Sequence, residues 1–244
     1  ITRTVFLDIS DIEGKLISGR VYPEFFTLPE GSSVVNLGCG RGPQVVVYGD
    51  QFSEMIGVDI NADRVSRTIE VAEGLGIDGY RAIVGDVEDT GLEAEQADVV
   101  LAIDAIEHVR SPKNLVAECR RLLKPGGSLL ITYPTMHDKY LDNPVANFGR
   151  RLMGRKVHHH SSDEWDPDEH GQAMGIGEWI ELTETAGFAL ADSRATTLFP
   201  PFHVLGVPRF WFKSNFVHAI DSKIAAVPFV KNFGQALLCR YVAK

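Results

Sequence analysis

The sequence has few cysteines and no long apolar run. Cys39, Cys119 and Cys239 are odd in number, lie far apart and show no CxxC spacing, which argues against a disulfide framework and against a structural zinc site. No apolar stretch approaches the ~20 residues that cross a bilayer, and the N-terminal residues lack the pattern of a signal peptide. These absences predict a cytoplasmic protein in a reducing environment.

Basic residues are also in deficit. The chain has 24 Lys and Arg against 33 Asp and Glu, a formal net charge of −9, whereas nucleic-acid binders usually need positive charge to neutralise phosphates. We therefore expect no nucleic-acid partner. The C-terminal part is the exception, because from Leu198 onward the only carboxylate side chain is Asp221 and six residues are basic.

Within that basic part, the segment 208–228 carries apolar residues four positions apart: Phe212, Phe216, Ile220 and Ile224. This spacing predicts a helix with one apolar face. The face is expected to pack in the core or in a dimer. The alternatives are binding of an apolar substrate or peripheral contact with a membrane, since neighbouring Lys and Arg side chains suit anionic headgroups.

What the sequence does contain is an alternation of short apolar runs with longer helical patterns. The runs occupy 33–37, 55–58, 81–84, 97–103 and 128–133. Such runs, separated by helix-length segments, are typical of a parallel sheet buried on both faces. Ser111 followed by Pro112 predicts the start of one helix, and the stretch 124–127 its end. With 244 residues and 44% apolar content, we expect a single α/β domain spanning 1–244.

The pattern changes after Pro134. A polar, His-rich and acidic segment at about 135–175 predicts an insertion that covers the substrate, and a helix at 177–186 and a strand at 188–197 resume the fold. A helical insertion at about 200–230 then leads to a last strand near 235–242. The last two strands are far apart in sequence, so their pairing could be antiparallel.

The stretch NLGCGRGP places glycine at 38, 40 and 42, directly after the first predicted strand. In a doubly wound sheet this turn is the usual cofactor loop, and the following helix N-terminus favours an anionic group. Asp59 ends the next predicted strand, where a carboxylate can accept both hydroxyls of a ribose. An adenosine-bearing cofactor is expected. The dinucleotide fingerprint, however, needs a glycine where this chain has Pro43.

Five motifs follow one another in the first half of the chain: NLGCGRG at 36–42, VDI at 58–60, GDVE at 85–88, DVVLAIDAIEHV at 98–109 and LLKPGG at 122–127. In order and spacing they resemble the class I S-adenosylmethionine-dependent methyltransferases. The branch that is most similar contains the ubiquinone-biosynthesis and related small-molecule enzymes. The match is close over about 30–135 and looser around EWIELTETAGF at 178–188.

The resemblance implies a doubly wound, mostly parallel seven-stranded sheet whose last strand is antiparallel. It implies S-adenosylmethionine as cofactor and S-adenosylhomocysteine as product. It also implies a part for each matching position: Gly38, Cys39 and Gly40 line the methionine part, Asp59 and Ile60 the ribose and adenine, Asp86 and Val87 the adenine, and Asp104 and Ala105 the region of the donated methyl.

Asn36 departs from the family pattern, which usually has an acid at this position. That acid often contacts the charged amino group of the cofactor, directly or through water. Asn36 can still accept a hydrogen bond but cannot form an ion pair, which predicts weaker binding in the same mode.

Histidines are the candidates for a general base acting on an oxygen acceptor: His170 first, because related enzymes often carry a His at this rim, then His108 and His137. The segment 158–170 contains four His and five acidic residues, a density that could bind a divalent metal. It shows no repeated ligand spacing, so we expect a solvated lid and no metal.

The expected function is methyl transfer to a small-molecule or lipid-like acceptor, at oxygen. Two alternatives stay open at this point. A non-catalytic module could use the same fold to hold a partner, which Asn36 favours. A nicotinamide-dependent oxidoreductase would share the glycine loop and the ribose acid, but Pro43 argues against it.

Overall fold

The computed structural model describes residues 25–49, 51–134, 174–196 and 236–244. In chain order its elements are β1 (Ser32–Leu37), α1 (Pro43–Tyr48), β2 (Phe52–Asp59), α2 (Ala62–Leu75), β3 (Tyr80–Val84), β4 (Ala97–Ala102), a 3-10 turn (Ile106–His108), α3 (Pro112–Leu122), β5 (Leu123–Pro134), α4 (Ile176–Thr185), β6 (Phe188–Thr196) and β7 (Ala236–Ala243). The strands predicted from the apolar runs are therefore confirmed, with shifted ends.

Within the described residues the strands form one seven-stranded sheet in the order β3-β2-β1-β4-β5-β7-β6. The pairs from β3 to β5 are parallel, whereas β7 is antiparallel to both β5 and β6. This confirms the predicted mostly parallel sheet with an antiparallel last strand. The strand order reverses beside β1, between β1 and β4, and ligands of such sheets bind at that reversal.

Helices cover both faces of the sheet. Val100 and Leu101 are adjacent in β4 and fully buried, yet they belong to different hydrophobic clusters. The Val100 cluster includes residues of α3 and α4, and the Leu101 cluster includes residues of α1 and α2. Successive strand residues point to opposite faces, so continuous apolar runs are what a sheet covered on both sides requires.

Polar caps begin two of the helices, as local sequence predicts. The Ser111 hydroxyl accepts a hydrogen bond from the Asn114 N–H at 3.3 Å, and Pro112 occupies the first turn of α3. The Asn61 side chain caps α2 in the same manner.

The start of β5 differs from the prediction. The helix before it ends at Leu122 and not in the stretch 124–127, and the strand begins at once with Leu123 instead of at residue 128. Leu123 is fully buried and pairs with Ala97 at the start of β4. Because this buried pairing begins at Leu123, the chain passes from helix to strand before the Pro-Gly-Gly sequence at 125–127.

The two predicted insertions lie almost entirely outside the described residues, and so does the segment 208–228. The lid predicted at 135–175 and the apolar helical face predicted at 208–228 therefore stay predictions. Among the helices of the described ranges, none combines the length and the apolar character that crossing a bilayer requires.

Candidate cofactor and active site

The three glycines after β1 serve two different purposes. A Cβ on Gly38 would lie 3.1 Å from the Cβ of Ala105, and a Cβ on Gly42 would lie 2.7 Å from Oγ1 of Thr68 on α2. Those two glycines permit close packing within the protein. Among the described residues, a Cβ on Gly40 would meet nothing nearer than a backbone oxygen at 4.0 Å, so Gly40 faces a side of the loop that these residues leave open to a ligand.

The N–H groups of this loop point into the protein. Those of Gly38 and Cys39 both donate to the carbonyl of Val58, at 2.8 and 3.0 Å, and that of Gly40 donates to Oδ2 of Asp59 at 2.9 Å. The following helix α1 has only six residues and begins with a proline. These loop N–H groups therefore do not support the expectation that the N-terminus of α1 favours an anionic group. A ligand would contact the surface of the loop and not these N–H groups.

Asp59 ties the glycine loop to the end of β2. It is 5% exposed, and its Oδ1 accepts the Asn61 N–H at 3.0 Å while Oδ2 accepts the Gly40 N–H. Nη1 of Arg64 lies 4.0 Å from Oδ1 of Asp59. A carboxylate has about four lone-pair sites, so each oxygen keeps one site for a hydroxyl donor.

Cys39 lies beneath the loop and acts as a packing residue. Its thiol hydrogen-bonds Tyr80, whose hydroxyl lies 2.9 Å from Oγ1 of Thr68, and a Cβ on Gly57 would overlap that hydroxyl. Burial, with the nearby charge of Asp59, raises the pKa of the Cys39 thiol to about 12. The thiol is therefore protonated at neutral pH, which agrees with a small loop residue rather than a nucleophile.

Asp104 follows β4 in an unusual backbone conformation. Its φ of 52° lies in the left-handed region, which non-glycine residues seldom adopt and which clusters at functional sites. Its N–H donates to Oγ1 of Thr132 on β5 at 2.7 Å, and Thr132 is buried. The neighbouring strand thus holds Asp104 at the carboxyl edge of the sheet, next to Ala105.

The 3-10 turn after Ala105 carries two further candidates. Glu107 is buried, and His108 is half-buried with its backbone N–H donating to the Ala105 carbonyl at 3.1 Å. Both lie at the same edge of the sheet as the glycine loop.

Asp86 lies in the loop after β3 and is already engaged. Its Oδ1 accepts the Glu88 N–H at 2.9 Å, and its Oδ2 accepts a hydrogen bond from the guanidinium of Arg110. The Asp86 side chain is 32% exposed. Asp86 therefore lies at the partly exposed rim of the site and not beneath the glycine loop.

Asn36, the second-last residue of β1, is a fully buried polar residue. Its Nδ2 approaches Oε1 of buried Gln44 at 3.5 Å, and within the described ranges its Oδ1 has no hydrogen-bond partner. A buried acceptor of this kind is uncommon and asks for an explanation. Because this oxygen has almost no accessible surface, a positively charged donor could reach it only after neighbouring atoms move.

Comparison with known proteins agrees with this geometry. Residues 35–131 match the methyltransferase domain family. A ubiquinone biosynthesis O-methyltransferase of Stutzerimonas stutzeri is 33% identical over 175 residues, which cover 70% of this chain and 70% of that protein. The chain belongs to the class I S-adenosylmethionine-dependent methyltransferases. This membership decides against the nicotinamide-dependent oxidoreductases.

Other relatives of this methyltransferase are matched over less of their length. The ubiquinone biosynthesis O-methyltransferase of Roseobacter denitrificans is 35% identical over 124 residues, which are 48% of this chain and 46% of that protein. The chain thus spans from about half to about two thirds of the curated relatives it matches.

Solved structures share the fold of the methyltransferase. The YcgJ protein of Bacillus subtilis aligns with a TM-score of 0.59 and 18% identity, covering 96% of this chain and 99% of that one. A putative methyltransferase in complex with the Haloferax volcanii Trm112 activator gives 0.62 and 19%, covering 97% and 91%.

The predicted site residues of the methyltransferase fall into two groups. Those at the carboxyl ends of β1, β2, β3 and β4 share one edge of the sheet: Asn36, Gly38, Cys39, Gly40, Asp59, Ile60, Asp86, Val87, Asp104, Ala105 and His108. His137, His170 and the His-rich segment 158–170 lie outside the described residues, so the general base, the lid and the absence of a metal stay predictions.

Sequence reasoning missed four residues of this methyltransferase that support the site: Gln44, Glu88, Arg110 and Thr132. Gln44, Thr132 and Arg110 each contact a predicted site residue through the side chain, and Glu88 does so through its backbone N–H, which donates to Asp86. Glu88, two positions after Asp86, is the one that the acidic spacing of its motif could have indicated.

Proposed function

We propose that the protein transfers the methyl group of S-adenosylmethionine to an oxygen of a small-molecule or lipid-like acceptor. The observation that carries the proposal is Asp59, a buried carboxylate joined to the Gly40 N–H beside the open side of Gly40. The relatives named as ubiquinone biosynthesis O-methyltransferases support oxygen, and an apolar phenolic acceptor such as a quinone precursor.

The described residues fit the cofactor at both of its ends. Asp59 has one lone-pair site left on each oxygen for the ribose hydroxyls, and Gly40 leaves space for the nucleoside over the loop. Ile60, 43% exposed beside Asp59, offers an apolar surface to the adenine ring. At the other end, Oδ1 of Asn36 has no hydrogen-bond partner among the described residues and would suit a positively charged amino group once neighbouring atoms move to expose it.

When bound, S-adenosylmethionine supplies an electrophilic methyl group on a positively charged sulfur. The protein has to align that methyl with the acceptor oxygen for in-line displacement, and alignment can remove about 7 to 11 kcal/mol of the barrier. The left-handed backbone of Asp104, fixed by Thr132, supports the role proposed for this residue at the methyl side of the site.

A hydroxyl acceptor must also lose its proton. A positioned base contributes roughly 10² to 10⁴ in rate. His170, His108 and His137 keep this role as candidates, and His108 is the one that lies at the described edge of the sheet. We propose that about 30–135 is the cofactor core of a single domain; the roles predicted for 135–175 and 200–230 concern residues outside the described ranges and stay predictions.

Calorimetric titration with S-adenosylmethionine tests the proposal. We expect binding in the micromolar range, and no binding at millimolar cofactor would contradict it. Turnover is then measured with two matched acceptors, a phenol bearing an apolar chain and the corresponding aniline. Methylation of the phenol is expected. Cofactor binding without turnover of either acceptor, together with a stable complex with another protein, would favour the non-catalytic module.

Changing Asn36 to Asp should tighten cofactor binding about tenfold. The hydrogen bond to Asn36 already has a charged donor, so the change adds an ion pair to it, and a gain of about 1.4 kcal/mol from that ion pair is a factor of ten in affinity. Without cofactor the variant should be less stable, because Asn36 is fully buried and a carboxylate there would lack a charged partner among the described neighbours. Calorimetry and urea denaturation measure the two effects.

Asn114 on α3 provides the matched control, since it is exposed and Asn114→Asp makes the same chemical change away from the glycine loop. This control should bind the cofactor like the wild type. Equal affinity of Asn36→Asp and wild type would show that residue 36 does not meet the charged amino group.

A further inference from the structure

Arg110 joins the loop after β3 to the loop after β4. Its guanidinium contacts Oδ2 of Asp86 through Nη2 and Oε1 of Glu88 through Nε at 3.4 Å. Backbone bonds strengthen the same junction, because Glu88 also accepts the Arg110 N–H at 2.8 Å and the Ser111 N–H at 3.1 Å. The Glu88 side chain is 8% exposed and the Arg110 side chain 50% exposed.

These contacts fix both oxygens of Asp86. Its Oδ1 accepts the Glu88 N–H and its Oδ2 accepts from Arg110, so the carboxylate cannot rotate without losing one of the two bonds. Each oxygen keeps a lone-pair site for one more donor. Because the side chain is one third exposed, an Asp86 without Arg110 could turn toward solvent.

We propose that Arg110 is a positioning residue that holds the Asp86 carboxylate as the acceptor for the 6-amino group of adenine. The proposal rests on the proposed function, since it concerns the same cofactor. Through Asp86, Arg110 sets the preference for adenine over a base with a 6-oxo group. An oxo group would bring an oxygen acceptor against the carboxylate, a repulsive contact that gives discrimination beyond simple loss of a bond.

The geometry requires arginine rather than any cation. The guanidinium presents several donors in a rigid fork and reaches two carboxylates at once, whereas the ammonium of lysine is a compact point charge on a flexible stem. A lysine at this position would keep the charge but hold Asp86 less firmly.

The test measures the affinities of S-adenosylhomocysteine and S-inosylhomocysteine by calorimetry in wild type, Arg110→Gln and Arg110→Lys. The wild type should prefer the adenosine compound by at least about a hundredfold. Arg110→Gln should lower this ratio about tenfold, and Arg110→Lys should give an intermediate ratio. Circular dichroism confirms that each variant is folded.

Two controls make the result specific. Arg67→Gln removes another partly exposed arginine, one paired with Glu70 on α2, and should leave the ratio unchanged. In an Asp86→Ala background, Arg110→Gln should have no further effect on the ratio, because the group it positions is gone.

Three outcomes would overturn the proposal. If Arg110→Gln weakens both ligands by the same factor, the arginine serves only the fold. If it raises the ratio, Arg110 competes with the amino group for Asp86. If the wild type binds neither ligand, both the proposed function and the positioning role fail. If the wild type and Arg110→Gln prefer the adenosine compound by the same ratio, only the positioning role fails.

Discussion

Changing Asp59 to Ala should abolish S-adenosylmethionine binding at micromolar concentrations. The change removes a charged acceptor for two ribose hydroxyls, and hydrogen bonds to charged groups contribute about 1.5 to 3 kcal/mol each. The expected loss is therefore about 10² to 10⁴ in affinity. The change also frees the Gly40 and Asn61 N–H groups, so the loop itself loses its attachment to β2.

Calorimetry with the cofactor and with its 2′-deoxy analogue measures the effect. The wild type should lose affinity for the analogue, whereas Asp59→Ala should bind both compounds equally poorly. Asp78→Ala is the matched control, because Asp78 is exposed and precedes β3 at the opposite edge of the sheet. Unchanged affinity in Asp59→Ala would disprove the ribose assignment.

Alanine at Gly40 should mainly weaken cofactor binding, whereas alanine at Gly42 should mainly lower the free energy of unfolding. Both glycines have a positive φ, 55° at Gly40 and 92° at Gly42, so each alanine would introduce left-handed backbone strain of about 1–2 kcal/mol. At Gly42 the new Cβ also lies 2.7 Å from Thr68 Oγ1, and overpacking of this kind costs typically a further 1–3 kcal/mol. At Gly40 the Cβ enters the space assigned to the cofactor, so binding should fall by at least about tenfold.

The measurements are urea denaturation without ligand and calorimetry with S-adenosylhomocysteine. Gly31→Ala supplies the reference for strain alone, since Gly31 has a φ of 71° and no atom of the described residues lies within 4 Å of the added Cβ. Gly40→Ala should match Gly31→Ala in stability and differ from it in binding, whereas Gly42→Ala should be the least stable of the three. Equal stability of Gly42→Ala and Gly31→Ala would contradict the packing role of Gly42.

Local pattern was enough to predict the strands, the glycine loop and Asp59. Runs such as 97–103 are apolar because both faces of β4 are covered, and Asp59 stands out as an acid that directly follows such a run. These features are written in consecutive residues, which is why reading along the chain finds them.

The supporting contacts are different, because they depend on which strands become neighbours. Thr132 holds Asp104 only because β5 lies beside β4, and Arg110 reaches Asp86 only because two loops end at the same edge. Hydrophobic periodicity determines where elements lie, but not which polar side chains meet across them. No pattern in the sequence distinguishes Arg110 from other cations, whereas in the structure it bridges two acids.

The position of β7 has a consequence for the order in which the protein assembles. This strand lies between β5 and β6, so β6 has no place in the sheet until β7 has arrived, and Ser128 of β5 must find Val242 across a long stretch of chain. Closing such a loop is entropically costly and slow. The edge that carries Gly40, Asp59 and Asp104 depends on strands within the first 134 residues, so the cofactor half can fold first and serve as the template on which the remaining strands are added.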